Sequence, residues 1–161
     1  MKISLLPFEQ SPFNVQIEIS QDQHTEIRFK VCGPVSELEN WEVPFDLSRE
    51  DRIWESTCFE VFLTEKDSTR YQEVNLSRTG AWNLYSFDST RVGMKPSDPF
   101  FEFEAISDGV RLLLPHGVCL EKIGISTILK EKSGKIHYFA LCHIGDRPDF
   151  HARETWTLSL D

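Results

Sequence analysis

What this sequence has little of narrows it before any motif is read. Lys and Arg together number 17 against 26 Asp and Glu, a formal net charge of -9, and no stretch gathers the cations into a stripe. Repulsion of phosphates is therefore uncompensated, and neither nucleic acid nor an anionic membrane surface is an expected partner. Long hydrophobic runs are missing too. The run near the start, Ile3 to Phe8, is broken by Pro7 and is too short for the apolar region of a signal peptide. Nothing approaches the roughly 20 apolar residues of a membrane span. A cytoplasmic location is the expectation.

Cysteine is scarce and scattered. Cys32, Cys58, Cys119 and Cys142 form no CxxC pair, so reduced core or strand residues are expected rather than a disulfide framework or a zinc site. Signatures of nucleophilic and zinc catalysis are also absent. Ser77 has no GxSxG setting, and His116, His137, His143 and His151 show no HExxH spacing. No cofactor is expected. The chain has no internal repeat, no low-complexity segment and no convincing helix longer than two turns.

What is present is alternation. Phe13 to Ser20 and His24 to Val31 place apolar residues at every second position, as an opening antiparallel pair would. Gly33-Pro34 ends the second of them, and Val35 to Ser48 reads as a loop or short irregular strand. In Thr57 to Thr64, Phe59, Val61 and Leu63 share one face and Cys58, Glu60 and Phe62 the other. From Tyr71 to Ser77, Gln72, Val74 and Leu76 oppose Tyr71, Glu73, Asn75 and Ser77. A three-residue loop, Arg78 to Gly80, then sets Glu73 against Tyr85 and Asn75 against Asn83, with Val74 against Leu84 and Leu76 against Trp82. Trp82 is core by this pattern. Later hairpins are expected around Asp108-Gly109 and Ser133-Gly134, and a last strand over Thr155 to Leu160. Many short strands with one apolar face define an all-β fold, an antiparallel two-sheet β-sandwich, and 161 residues suit a single domain spanning 1–161.

Several stretches carry a resemblance. Ile53 to Phe62 (IWESTCFEVF), Tyr71 to Ser77 (YQEVNLS) with Gly80, Trp82, Tyr85 and Phe87, Arg91 with Gly93-Met94, and the terminal Pro148-Asp149-Phe150-His151 resemble DOMON-like domains related to family nine carbohydrate-binding modules. The resemblance implies a β-sandwich of sugar-binding ancestry. It places Trp54 and Glu60 at positions like the stacking tryptophan and strand acid of that pattern. One departure is Arg78, where the pattern usually has proline. Some haem-binding relatives use methionine and histidine as axial ligands, which keeps Met94, the only internal methionine, in view.

A sugar offers an apolar ring face and many hydroxyls, so its site needs an aromatic plate beside carboxylates, amides and guanidinium groups. The polar sheet face offers that mixture. The candidate ligand-binding set is Trp54, Glu60, Tyr71, Glu73, Asn75, Asn83, Tyr85 and Arg91, with a saccharide as the possible ligand. Two alternatives stay open. Glu60 and Glu73 could serve as the carboxylate pair of a sugar-processing enzyme, or Glu60, Glu73, Asn75 and Arg91 could satisfy one another in a structural network without a ligand. Trp54 is either an exposed plate or a core residue.

Overall fold

The computed structural model describes residues 1–64, 67–118 and 120–160. Cys119 lies outside them, while Cys32, Cys58 and Cys142 are free thiols. The alternating runs become strands: Lys2–Ser4 (β1), Leu6–Pro7 (β2), Asn14–Gln21 (β3), Thr25–Cys32 (β4), Ser48–Arg49 (β5), Cys58–Thr64 (β6), Tyr71–Leu76 (β7), Ala81–Phe87 (β8), Lys95–Pro96 (β9), Glu102–Ile106 (β10), Gly109–Leu114 (β11), Ile123–Lys130 (β12) and Ile136–Ala140 (β13). They form two sheets, ordered β1-β3-β4-β11-β10 and β2-β13-β12-β6-β7-β8-β5, with β9 on β8. Pairing is antiparallel throughout except for β5, which runs parallel to β8. The fold is the expected β-sandwich.

Between the sheets lies one apolar layer. Ile17, Ile27, Phe29 and Leu112 project into it from the first sheet and Phe59, Val61, Val74, Leu76 and Leu84 from the second. Phe29 and Phe59 meet there with ring centroids 5.3 Å apart. Trp82 faces this layer but is only partly buried, because it lies where the two-residue β5 edges the sheet, with the Arg49 guanidinium over its ring. The β7–β8 register is the one the three-residue loop dictates, with Glu73 opposite Tyr85, Asn75 opposite Asn83 and Leu76 opposite Trp82. Gly80, at φ +93°, closes the loop where a Cβ would come within 2.3 Å of the Asp46 carbonyl oxygen.

The structure adds detail at two stretches and corrects a third. Val35 to Ser48 contains a 3-10 turn, Val35–Glu37, and buries Leu38 and Trp41. Arg78, the departure from the usual proline, stacks over Trp41 at 4.5 Å and donates to the backbone oxygens of Trp41, Ile106 and Gly109. It therefore ties the hairpin to the opposite sheet, a job proline's ring has no donors for. The last expected strand, Thr155 to Leu160, is instead a 3-10 turn at Arg153–Thr155 followed by an isolated bridge between Leu158 and Ile123. Trp156 explains the difference. Its ring turns onto the outer face of the second sheet, stacks on Phe62 at 5.4 Å and donates its indole N–H to the Phe150 oxygen.

Gly124 makes that turn possible. A Cβ there would meet Trp156 Cδ1 at 2.3 Å, so the side-chain-free position is the seat of the ring. Gly124→Ala should displace Trp156 and lower stability by about 1–3 kcal/mol, the cost of overpacking a filled site. The urea midpoint reads the loss. An unchanged midpoint would show that Trp156 does not hold the outer face closed.

Candidate functional site

The outer face of the second sheet is where the polar alternation leads. Glu60 on β6 pairs across the ladder with Asn75 on β7, and Asn75 with Asn83 on β8; two residues back on β7, Glu73 sits between Phe62 and Tyr85. On the other flank Glu60 faces Ser126 of β12, whose hydroxyl donates to Glu60 Oε2 at 2.6 Å. Both acids are deeply buried, Glu60 3% and Glu73 4% exposed. The face is thus not a wet surface. Ile53–Glu55, the Asp88–Met94 turn and the segment from Pro148 to Trp156 cover it in part, leaving a cavity of about 320 Å³ above the two carboxylates.

The cavity has an aromatic wall and a mixed rim. Trp54, Phe87, Tyr138 and Phe150 supply rings, Ile128 and Pro148 apolar surface, and Arg91, Met94 and His151 the remaining lining. Trp54 is half-buried and packs edge-on to Tyr85, with centroids 5.8 Å apart. Met94 and the Arg91 side chain are exposed, so they mark the mouth. Arg91 itself adopts φ +58°, and its backbone N–H donates to the Tyr71 hydroxyl at 3.1 Å. Its guanidinium donates to Asp149 Oδ1 at 2.9 Å, and that same oxygen accepts the His151 N–H. The Arg-containing turn and the terminal PDFH stretch, far apart in sequence, are therefore clamped together over the acids.

A chain of polar groups runs inward from that clamp. The Tyr71 hydroxyl, whose oxygen accepts from the Arg91 N–H, shares a hydrogen bond of 2.7 Å with His151 Nδ1. The other ring nitrogen, Nε2, faces Glu73 Oε2 at 3.4 Å. Burial holds His151 down to about 4, with the nearby Arg91 charge adding to the effect, so the ring is neutral. Burial pushes the Glu60 and Glu73 carboxyls well above the ordinary carboxylate value, and the charge of Glu60 raises Glu73 further. Ser126 and the more distant Arg91 offset only part of this at Glu60. Hydrogen bonding of the adjacent Asn75 amide to the charged form lowers Glu73, although in this structure its fully buried Nδ2 stands outside hydrogen-bond geometry.

The eight sequence-selected residues divide into three groups. Trp54, Glu60, Glu73 and Arg91 line the cavity. Tyr71 and Asn75 lie beneath it, the first orienting His151 and the second beside the acids. Asn83 and Tyr85 are brought to the same face but not to the cavity. The Asn83 amide donates to the Glu50 oxygen, Asp51 Oδ1 and the Tyr85 hydroxyl, which donates to Asp51 in turn, and Asn83 Oδ1 accepts from Arg49. These bonds brace the segment that carries Trp54. Sequence reasoning left His151 out of the ligand-binding set and passed over Phe87, Tyr138 and Phe150 as lining. Tyr138 alternates with the core residues His137 and Phe139 in β13, a signal that the preceding exposed Ile136 obscures.

Haem does not fit this cavity. Met94 and His151 do line it together, but Tyr71 occupies one imidazole nitrogen and Glu73 lies against the other. Among the described residues no group of three or more His, Cys, Asp or Glu side chains could hold a metal ion, and no helix is long and apolar enough to cross a membrane.

No family model matches this chain, and no curated protein matches it. Its fold is similar to the crystal structure of a candidate carbohydrate-binding protein from Bacteroides uniformis, with a TM-score of 0.64 and 15% sequence identity over 94% of this chain and 83% of that one. At this identity the likeness is one of fold.

The buried acids predict a pH dependence. Above 4.5 the unfolded chain has lost protons that folded Glu60 and Glu73 retain, so each acid makes the fold less stable as pH rises. His151 acts oppositely, adding stability as pH rises from about 4 to 6.5, above which its contribution is complete. Between pH 6.5 and about 8, where folded Glu60 and then Glu73 give up their protons, the acids are the groups of this cluster left to titrate, and stability should fall. Glu73→Gln removes one acid and relieves the other, so its urea midpoints should decline less steeply over the same alkaline limb. Parallel declines in the two proteins would contradict the assignment.

Proposed function

We propose that this chain is a noncatalytic ligand-binding β-sandwich whose cavity takes a carbohydrate or similar small polyhydroxylated molecule. The observation that carries the reading is the juxtaposition of four aromatic rings with two buried carboxyl groups in one accessible cavity. Rings suit the apolar face of a sugar, and carboxyl oxygens accept its hydroxyl protons. At about 320 Å³ the cavity is at the small end of ligand sites, which favours a single ring over an extended chain. In this reading Trp54 is the plate, Glu60 and Glu73 are the floor, and Arg91 is the rim. Tyr71, Asn75, Asn83 and Tyr85 position those groups. The carbohydrate-binding description of the Bacteroides protein with the same fold points the same way. The free thiols of Cys32, Cys58 and Cys142 suit the reducing cytoplasm proposed for it.

The geometry favours binding over hydrolysis. A glycosidase needs its two carboxyl groups on opposite sides of the scissile bond. Glu60 and Glu73 rise from adjacent strands of one sheet face, so both lie beneath the same side of anything in the cavity. A purely structural network would leave the acids satisfied by neighbours. Here the polar neighbours of Glu73 among the described residues are the neutral His151 ring, its Nε2 3.4 Å away, and the Asn75 amide, and neither brings a charge.

A glycan screen followed by two variants tests the proposal. Trp54→Ala should weaken a saccharide hit by about 1–3 kcal/mol, the burial of one large apolar side chain, with little change in melting temperature. A core role would instead cost about 3–5 kcal/mol of stability. Glu60→Gln preserves shape and removes charge-assisted acceptance from a bound hydroxyl, so it too should weaken the hit. The proposal fails if no saccharide shifts the wild-type melting temperature, or if a hit binds both folded variants unchanged.

A further inference from the structure

We infer that the cavity selects a sugar bearing a protonated amine over its neutral counterpart, with the ammonium group seated between the Glu60 and Glu73 carboxylates and the surrounding rings. This inference rests on the carbohydrate-binding reading of the same cavity and narrows its ligand class.

The argument begins with a missing countercharge. Among the described residues no lysine or arginine forms an ion pair with either acid. Arg91 is the nearest cationic group in the lining, but it sits at the exposed mouth and is engaged by Asp149. His151 supplies no charge at neutral pH, since partial burial and the nearby Arg91 hold it neutral, with Nδ1 engaged by the Tyr71 hydroxyl. The other groups facing Glu60 are Ser126, Cys58 and Asn75, and those facing Glu73 are Tyr71, Tyr85 and Asn75, with Asp51 behind Tyr85. None of them is a cation. Two acids on one buried face therefore oppose each other, and each keeps its proton longer than an exposed acid would.

Independent features show what would complete the site. The rings of Trp54, Phe87, Tyr138 and Phe150 line the same cavity as the acids, and a cation held over the face of such a ring gains attraction that a neutral hydroxyl does not. The Asn75 amide nitrogen, 0% exposed and on the same face, lacks a hydrogen-bond partner. Ionised neighbours would give it a stronger acceptor. A single ammonium supplies what is absent: it neutralises the paired charge, donates to both carboxylates and occupies the aromatic enclosure. A neutral sugar supplies only the hydroxyl donors. A multivalent metal would need a further ligand that this cluster lacks.

The test compares matched pairs on the wild-type protein by calorimetry, glucosamine against glucose and cyclohexylamine against cyclohexanol. Glucosamine should bind about tenfold or more tightly than glucose, the ratio that a differential interaction of roughly 1.4 kcal/mol produces. Binding of the amine should release protons, because the cation favours the ionised acids, and the apparent heat should differ between buffers of different ionisation enthalpy. Glucose should show no such dependence. Glu73→Gln should lower the amine preference, and Glu60→Gln provides the same readout if the first variant does not fold. Equal affinity for glucose and glucosamine overturns the amine inference and leaves the carbohydrate reading standing. Cyclohexylamine binding with no response to either sugar overturns the amino-sugar assignment and the carbohydrate reading together, as does the absence of any binding.

Discussion

The structure depends on a register that a single residue of slippage would reverse. Because side chains alternate across a strand, moving β8 by one position against β7 would bring Tyr85 and Asn83 into the sandwich core and expel Leu84. The turn prevents this. Gly80 takes a left-handed conformation against the Asp46 backbone with no room for a Cβ, and Arg78 fastens the same turn to backbone oxygens of the opposite sheet. With that hairpin fixed, the apolar face of the second sheet must meet the first sheet and its polar face must point away. Everything placed over the polar face, from Trp54 to Trp156, follows from that orientation.

An outward polar face would normally be left to water. This one is covered by segments drawn from three places in the chain, and the covering is held by specific directional bonds: Arg91 to Asp149, Tyr71 to His151, and Trp156 to the Phe150 oxygen. Such a cover buries two acids without giving them a cation. Burying an ionisable group without a partner is costly, and the acids respond by holding their protons. A fold needing only stability would place apolar residues at these two positions. The cavity above them gives the expense a use, since a ligand that donates hydrogen bonds or carries charge recovers part of it.

The sheet was legible from residues because its signals are local. Alternation in β6 and β7 and the glycine-closed loop before β8 were enough to assign faces and partners, and Glu60, Glu73 and Asn75 emerged on one side as a consequence. The cover was not legible in the same way. Arg91 and His151 are joined through Asp149 and Tyr71, contacts that span the chain and have no periodic trace. Trp156 misled the strand expectation for Thr155 to Leu160, because its partner is the absent side chain of Gly124 and not a neighbouring strand. Asn83 and Tyr85 share the right face with the acids, yet the bonds that draw them to Asp51 come from a segment with no strand pattern. Face is a property of spacing, whereas a cavity is a property of what fails to fill the space above it.

The central claim is that Glu60 and Glu73 are held as buried, uncompensated acids at the base of a cavity. Carbon-13 NMR titration of the glutamate side-chain carboxyl signals, assigned through Glu60→Gln and Glu73→Gln, observes that state at each acid. The account predicts two carboxyl resonances that titrate well above the ordinary value of 4.5, with the remaining one moving back toward it when its partner is replaced. Titration of both at the ordinary carboxylate value, independent of each other, would contradict it.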